Sequence, residues 1–174
     1  MDYRRRLEYG NSKAVWGEIV NHVGSDKNRL SEIMEIFFNS DTQIIKRISQ
    51  VIGIIGEKEP KLISLYLPRL AEYLASSNID AVKRNILRIF QFVDIPEELE
   101  GQLFDLTLTY LKSNEEGLAI RVFSMTTLRK ICEKYPELSQ EVIPTLEIIL
   151  EENKSGSIQS RGTRELKKMR LLQK

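Results

Sequence analysis

Arginine recurs at a fixed spacing along this chain, and its guanidinium group is the side chain here best suited to recognition chemistry. Arg47, Arg84 and Arg121 lie 37 residues apart, and Arg161 follows after a further 40 residues. A guanidinium group is always charged and carries five donors in a planar fork, so it binds carboxylates, phosphates and backbone carbonyls. The spacing therefore indicates either a repeated structural contact or a row of anion-binding groups.

The first interpretation of this spacing is structural. Asp41, Asn78 and Glu115 each stand six residues before one of the repeated arginines, in a polar stretch between two apolar runs. Acceptors at these places would let repeated units form a ladder of charge-assisted hydrogen bonds. On this interpretation, replacing Arg84 with alanine would lower the melting temperature.

The second interpretation is that the basic residues form a binding face. Lysines and a further arginine lie beside the repeated arginines or one helical turn beyond them, where side chains share a helix face. Such a face would bind an acidic protein or peptide partner. The candidate binding residues are Lys46, Arg47, Lys83, Arg84, Arg88, Arg121 and Arg161.

The residue types that usually perform catalysis are sparse. His22 is the only histidine and Cys132 the only cysteine, and the sequence holds no CxxC motif. Carboxylates that are adjacent in sequence, such as Glu97 and Glu98, point in different directions on a helix and do not form a catalytic pair. The sequence predicts no catalytic residue, no cofactor and no metal site, and therefore a protein that is not an enzyme.

The repeated arginines must be positioned by repeated helices, because the apolar residues around them recur at the same period. The aligned sets are Phe37, Leu74 and Leu111; Leu30, Leu67 and Phe104; Ile36, Tyr73 and Tyr110; and Ile52, Ile89 and Thr126. A period of 20 to 50 residues is typical of solenoids, in which each unit buries its apolar face against its neighbours. The predicted fold is all-α: a solenoid of antiparallel helix pairs with an arginine early in each second helix.

Capping and turn residues divide the chain into units. Ser12 caps and Gly24 ends a first predicted helix, which we interpret as an N-terminal half-unit over residues 12–24. Pro68 falls inside the apolar pattern of a later unit and is expected to kink its first helix. Four full units follow the half-unit, over residues 26–58, 60–95, 96–135 and 138–172. Together they predict one repeat domain spanning residues 1–174.

Composition agrees with a helical globular protein. Hydrophobic residues make up 41% of the chain, while nine glycines and five prolines are few for a β-rich protein with many turns. A single cysteine forms no internal disulfide, and no apolar stretch is long enough to span a membrane. We therefore expect a cytoplasmic protein with no membrane partner.

Charge is unevenly distributed behind a net value of +1. Residues 154–174 carry seven Lys or Arg against Glu165 alone, so residues 1–153 are net acidic. A surface that binds DNA usually shows a stronger basic bias, because neutralising phosphates supplies most of the sequence-independent affinity. The basic end is better explained as the solvated face of a last helix.

Unit length and the recurring arginine resemble those of HEAT and armadillo-type repeats. The best-matching stretches are AVKRNILRIFQFVDIPEELEG at residues 81–101 and AIRVFSMTTL at 119–128, with Ser160-Arg161-Gly162 beside them. These stretches are similar to a group of small bacterial HEAT-like proteins. The resemblance implies a helical-repeat fold, a right-handed α-α superhelix of antiparallel helix pairs, and no particular reaction.

Two functions follow from this resemblance. The first is a non-enzymatic binding or scaffold module that binds a protein or peptide on the concave face of the solenoid. The alternative is a nucleic-acid-binding protein, since some DNA alkylation-repair glycosylases are built from HEAT-like helix pairs and grip the duplex with basic residues. Against the alternative, most of the chain is net acidic, and Trp16 as the sole tryptophan leaves little for a base-recognition pocket.

Overall fold

The computed structural model describes residues 1–173, and the regular structure in that range is entirely helical. The α-helices are α1 (Tyr3–Tyr9), α2 (Lys13–Val23), α3 (Lys27–Asn39), α4 (Thr42–Lys58), α5 (Pro60–Ile63), α6 (Leu67–Ser76), α7 (Asp80–Phe90), α8 (Glu97–Lys112), α9 (Leu118–Lys134), α10 (Ser139–Glu152) and α11 (Gly156–Leu171). Short 3-10 turns cover Ser64–Tyr66 and Pro136–Leu138.

The first four helices begin at polar side chains that accept hydrogen bonds from their first turns. Asp2, Ser12, Asp26 and Asp41 are these N-caps. At Asp41, Oδ1 accepts from the amides of Gln43 and Ile44 at 2.9 and 3.2 Å, which satisfies donors that the helix itself leaves unpaired. The cap predicted at Ser12 is present, because its hydroxyl oxygen accepts from the amide of Val15 at 3.3 Å.

Pro68 does not kink a continuous helix. The segment splits instead into α5, the 3-10 turn Ser64–Tyr66 and α6, and Pro68 stands in the first turn of α6. The first turn of a helix has amides without intrahelical partners, so the missing N–H of proline costs nothing there. The expectation of a kink is thus corrected to a helix break before the proline.

The chain divides into two compact units, Met1–Asp94 and Ile95–Lys174. In the first unit α4 is central, since it packs against α1, α2, α3 and α7. In the second unit α9 packs against α8 and α11, and α10 packs against α11. The single domain over residues 1–174, with its predicted internal boundaries, stays a prediction.

The apolar positions that align at the 37-residue period form much of the core. Phe37, Leu74 and Leu111 are all fully buried. The sets led by Leu30 and by Ile52 are buried throughout as well. The repeat in the sequence therefore reflects a repeated core position.

Candidate functional site

Arg47 lies in α4 and connects it to the end of α1. Its side chain is half-buried, and Nη1 donates to the carbonyl oxygens of Leu7 at 2.6 Å and Glu8 at 3.0 Å. These carbonyls belong to the last turn of α1, where backbone oxygens lack intrahelical donors and carry partial negative charge. Arg47 therefore caps the C-terminus of α1.

Arg121 makes a comparable contact in the second unit. Only 3% of its surface is exposed, and Nε donates to the carbonyl oxygen of Leu111 at 3.2 Å, near the C-terminal end of α8. Burial lowers the pKa of this guanidinium. Its guanidinium is therefore largely enclosed and bonded to its own fold.

Arg84 and Arg161 contact the neighbouring second helix instead. Arg84 Nη2 donates to Oε1 of Gln50 in α4 at 3.2 Å, and Arg161 Nη1 donates to Oγ1 of Thr126 in α9 at 2.7 Å. Burial, followed by the positive charge of Arg164, lowers the pKa of Arg161. The repeated arginines thus share a period but use acceptors of two different kinds.

Of the acceptors predicted in the turns, Asp41 has another role. Asp41 caps α4 and also forms an ion pair with Arg4, at 3.5 Å between Arg4 Nη2 and Asp41 Oδ2. The repeated arginines bond instead to backbone carbonyls and to side chains of adjoining helices. At the first turn the physical reason is that Asp41 is already used by the first amides of α4 and by Arg4.

Four of the seven candidate residues lie on the two packed helices α4 and α7 of the first unit, and we call these residues the α4/α7 surface. It consists of Lys46 from α4 and Lys83, Arg84 and Arg88 from α7. Lys46 and Arg84 are exposed, while Lys83 and Arg88 are half-buried. Because α4 and α7 pack directly on one another, these cations come from two neighbouring helices.

Glycines let α4 and α7 approach closely. A Cβ atom at Gly56 would lie 2.8 Å from Cγ1 of Ile89, and one at Gly53 would lie 3.2 Å from the carbonyl oxygen of Asn85. A buried hydrogen bond of 2.9 Å from Asn85 Nδ2 to Ser49 Oγ joins the same two helices. This close packing fixes the spacing of the cations on the α4/α7 surface.

The charges of the α4/α7 surface are compensated unequally. Arg88 Nε donates to Oε2 of Glu57 at 2.9 Å, so its charge is paired. The hydrogen bond that Arg84 makes within residues 1–173 goes to the neutral amide of Gln50, which leaves its charge in place. Arg84 and Lys46 are the two exposed cations of this surface.

Sequence reasoning did not identify the main charged cluster of the second unit. Glu165 in α11 is fully buried; its Oε1 accepts from Arg164 Nη2 at 2.7 Å and from Thr126 Oγ1 at 3.1 Å, while its Oε2 lies 2.8 Å from Arg129 Nε. Burial raises the pKa of Glu165, but the hydrogen bond from Arg164 and the charge of Arg129 outweigh burial and hold it below its usual value. The available signal was that Glu165 is the single acid in a segment with seven bases.

The surroundings of the sole histidine and the sole cysteine indicate structural roles for both side chains. His22 Nδ1 lies 2.8 Å from the hydroxyl of Tyr3, whose ring is buried. Cys132 is fully buried, and burial raises the pKa of its thiol to about 11. A thiol with that pKa is protonated at neutral pH and is a poor nucleophile.

Within residues 1–173, every helix falls short of the length and apolar character that crossing a bilayer requires.

Antiparallel helix pairs with buried residues at a 37-residue period define the class of helical-repeat proteins. The chain belongs to the HEAT repeat domain family, whose sequence profile matches residues 3–169. It is also similar to the crystal structure of an engineered protein, with 11% identity, a TM-score of 0.66, and coverage of 98% of this chain and 89% of that chain. A comparison with curated proteins finds no match. The predicted all-α helical-repeat fold is confirmed.

Proposed function

We propose that this protein is a non-enzymatic, cytoplasmic binding module that uses the α4/α7 surface to bind an acidic segment of a protein partner. The observation that carries the proposal is the state of Arg84, which is exposed and hydrogen-bonded to a neutral amide. Lys46 is exposed on α4 one helical turn before Gln50, the acceptor of Arg84, so the two positive charges stand on the same side of the helix pair. Membership of the HEAT repeat domain family supports a scaffold role, because such folds commonly present helix faces to partners.

The proposal narrows the set of binding residues predicted from sequence. Arg47 and Arg121 donate to helix-end carbonyls, and Arg161 donates to Thr126, so these three stabilise the fold. Arg88 is ion-paired with Glu57 and contributes less net charge. Lys46 and Arg84 are therefore the residues expected to contribute most to binding, and Lys83 and Arg88 are expected to contribute less.

Charge reversal tests this proposal on the full chain. The probe is a fluorescein-labelled deca-glutamate peptide, measured by fluorescence anisotropy at low and at physiological salt. The double variant Lys46→Glu, Arg84→Glu is expected to weaken binding on the order of tenfold or more, because each reversal turns an attraction into a repulsion. Equal binding by the variant and the parent chain would refute the role of the surface.

The matched control reverses two exposed lysines elsewhere in the same unit. Lys13→Glu with Lys27→Glu changes the net charge by the same amount but lies on α2 and α3. Thermal melts of both double variants check that the fold is intact. A labelled DNA duplex is the second probe: stronger retention of the duplex than of the peptide, with a steep loss on adding salt, would favour the nucleic-acid alternative.

A further inference from the structure

The second unit contains a pocket that sequence reasoning did not predict. Its volume is about 630 Å³, and it lies between α8, the C-terminal end of α9 and the start of α10. Phe104, Ile131, Tyr135 and Leu138 supply apolar and aromatic lining. The volume falls within the range of roughly 300–1,000 Å³ that is usual for ligand pockets.

The pocket is strongly acidic. Its carboxylates are Glu97, Glu100, Asp105, Glu137 and Glu141. Two lysines offset them in part: Lys134 forms an ion pair with Glu100, and Lys112 pairs with Glu141 at 3.3 Å. All but one of the carboxylates are exposed, so the pocket carries an excess of negative charge that faces solvent.

Glu100 is the exception, and it is incompletely satisfied. Only 3% of this residue is exposed; Lys134 Nζ bonds to Oε1 and also donates to the carbonyl oxygen of Ile95 at 3.1 Å. Within residues 1–173, Oε2 has no well-aligned donor, although the side chain of Tyr135 also hydrogen-bonds to this carboxylate. A ligand that donates to Oε2 would complete the hydrogen bonding of this buried oxygen.

The electrostatics keep Glu100 ionised for that role. Burial raises the pKa of Glu100, but the neighbouring side chains of Lys134 and Tyr135 outweigh burial and hold it below its usual value. The side chain of Lys134 is half exposed, so a second cation can join or displace its ammonium at the carboxylate. The buried charge thus persists at neutral pH with room for exchange of its partner.

An organic cation fits this arrangement better than a metal ion. Within residues 1–173 no three His, Cys, Asp or Glu side chains are arranged to hold a metal. The carboxylates are spread around the pocket and stand beside aromatic rings. A guanidinium group matches both features, because its planar fork bonds several carboxylates at once and its face stacks on aromatic rings.

We propose that this acidic pocket binds an arginine side chain from a basic segment of a partner protein. The guanidinium stacks against Phe104 and Tyr135 and donates to Glu100, while the exposed carboxylates attract the basic residues that flank the arginine. This site uses none of the residues of the α4/α7 surface. Its failure in a test would therefore leave the function proposed above untouched.

The direct test uses a fluorescein-labelled peptide that contains arginine flanked by glycine and lysine, titrated with the full chain. The control peptide has citrulline in place of arginine, which keeps the shape and removes the charge. We expect the citrulline peptide to bind at least tenfold more weakly. Agmatine serves as a competitor, and displacement of the peptide by agmatine at an equal concentration would assign the pocket to free small cations and overturn the proposal.

A filled pocket provides the second test. A Cβ atom at Gly101, which lines the pocket, meets no atom within 4 Å, so Gly101→Leu places a side chain in the open space without a backbone clash. The matched control is Gly17→Leu in α2, another helical glycine with open space around it. We expect Gly101→Leu to abolish binding of the arginine peptide and Gly17→Leu to preserve it. Unchanged binding by Gly101→Leu would refute the site.

A charge variant keeps the proposal testable if the filled pocket disturbs folding. Asp105→Asn with Glu137→Gln removes two exposed charges of the pocket and leaves its shape. We expect a loss of affinity of at least fivefold for the arginine peptide, measured with thermal melts as the check on folding. Glu151→Gln, at an exposed site on α10 outside the pocket, is the control and should bind as the parent chain does.

Discussion

The same position of the repeat carries opposite charges in the two units. Arg88 in α7 and Glu165 in α11 each stand four residues after a repeated arginine. Arg88 is half-buried and pairs with the partly exposed Glu57, whereas Glu165 is fully buried and is held by Arg129 and Arg164. A repeat therefore fixes the direction of a side chain on its helix, and the packing around that direction decides which charge it can hold.

The contacts between second helices differ in the same way. In the first unit, α4 and α7 approach through Gly53 and Gly56 and share the neutral hydrogen bond from Asn85 to Ser49. In the second unit, α9 and α11 enclose the carboxylate of Glu165. A close apolar contact depends on shape, while a buried ion cluster depends on every partner being present. Substitutions in the first unit should therefore destabilise the protein by steric clash, and those in the second unit by leaving buried charges without partners.

The largest expected effect is the removal of the buried carboxylate. Glu165→Ala removes the acceptor of Arg164 and one of two carboxylates that pair with Arg129, which keeps Glu133. We expect a loss of about 3 kcal/mol in the free energy of unfolding, measured by urea denaturation. Glu57→Ala, which breaks the more exposed pair with Arg88, is expected to cost less than about 1 kcal/mol. Equal costs for the two variants would contradict the contrast between the units.

Acid titration sharpens this prediction. Because the folded-state pKa of Glu165 is lowered, its stabilising contribution is present above the unfolded-state pKa of about 4.3 and is lost as the pH falls through the folded value. The difference in stability between the parent chain and Glu165→Gln should therefore shrink below about pH 4.3. Parallel stability curves for the two proteins down to pH 2 would argue against an ionised Glu165.

The next largest effect is a difference in stability between alanine variants at two glycines that have close neighbours. At Gly56 an added methyl group meets Ile89 at its Cβ, Cγ1 and Cγ2 atoms, whereas at Gly162 it meets chiefly the terminal methyl of Leu150. A β-branched side chain cannot move away from a new neighbour, but the end of a leucine can change rotamer. We expect Gly56→Ala to destabilise by about 1–3 kcal/mol and Gly162→Ala by less than about 1 kcal/mol.

Thermal denaturation of the two alanine variants measures this difference. Gly53→Ala is an internal check in the first unit, because its Cβ would lie 3.2 Å from a backbone oxygen that gives way only with the whole helix. If Gly162→Ala destabilises the protein more than Gly56→Ala does, the α10/α11 contact is the more rigid of the two contacts. That result would contradict the predicted order.

The sequence predicted the repeated core because burial acts on side-chain type. Phe37, Leu74 and Leu111 show the same apolar character at the same spacing, and all three are buried. The acceptors of Arg47 and Arg121 escaped prediction because they are backbone carbonyls, which every residue possesses and no sequence pattern marks. Likewise, the break before Pro68 depends on how the preceding turn packs, and the local pattern alone suggested a continuous helix.

The acidic pocket escaped prediction for a related reason. Its carboxylates come from α8, the 3-10 turn Pro136–Leu138 and α10, and each one taken alone has the character of an ordinary solvent-facing residue. Only the packing of the helices brings them to one pocket. The burial of Glu100 was equally hidden, since neighbouring Glu97 and Glu98 in the same helix are exposed.

The smallest expected effect concerns two helical glycines that have open space around them. Gly101 in α8 and Gly17 in α2 have no atoms within 4 Å of an added Cβ, in contrast to the crowded Gly56. Alanine at either open position should raise the free energy of unfolding by about 0.5–1 kcal/mol, because it reduces the backbone entropy lost when the helix forms and adds no clash. Urea denaturation of the two variants should show gains of similar size in both units. A loss at Gly101 alone would mean that the space beside it is narrower than a pocket for an arginine side chain requires, so this measurement also bears on the site proposed in the second unit.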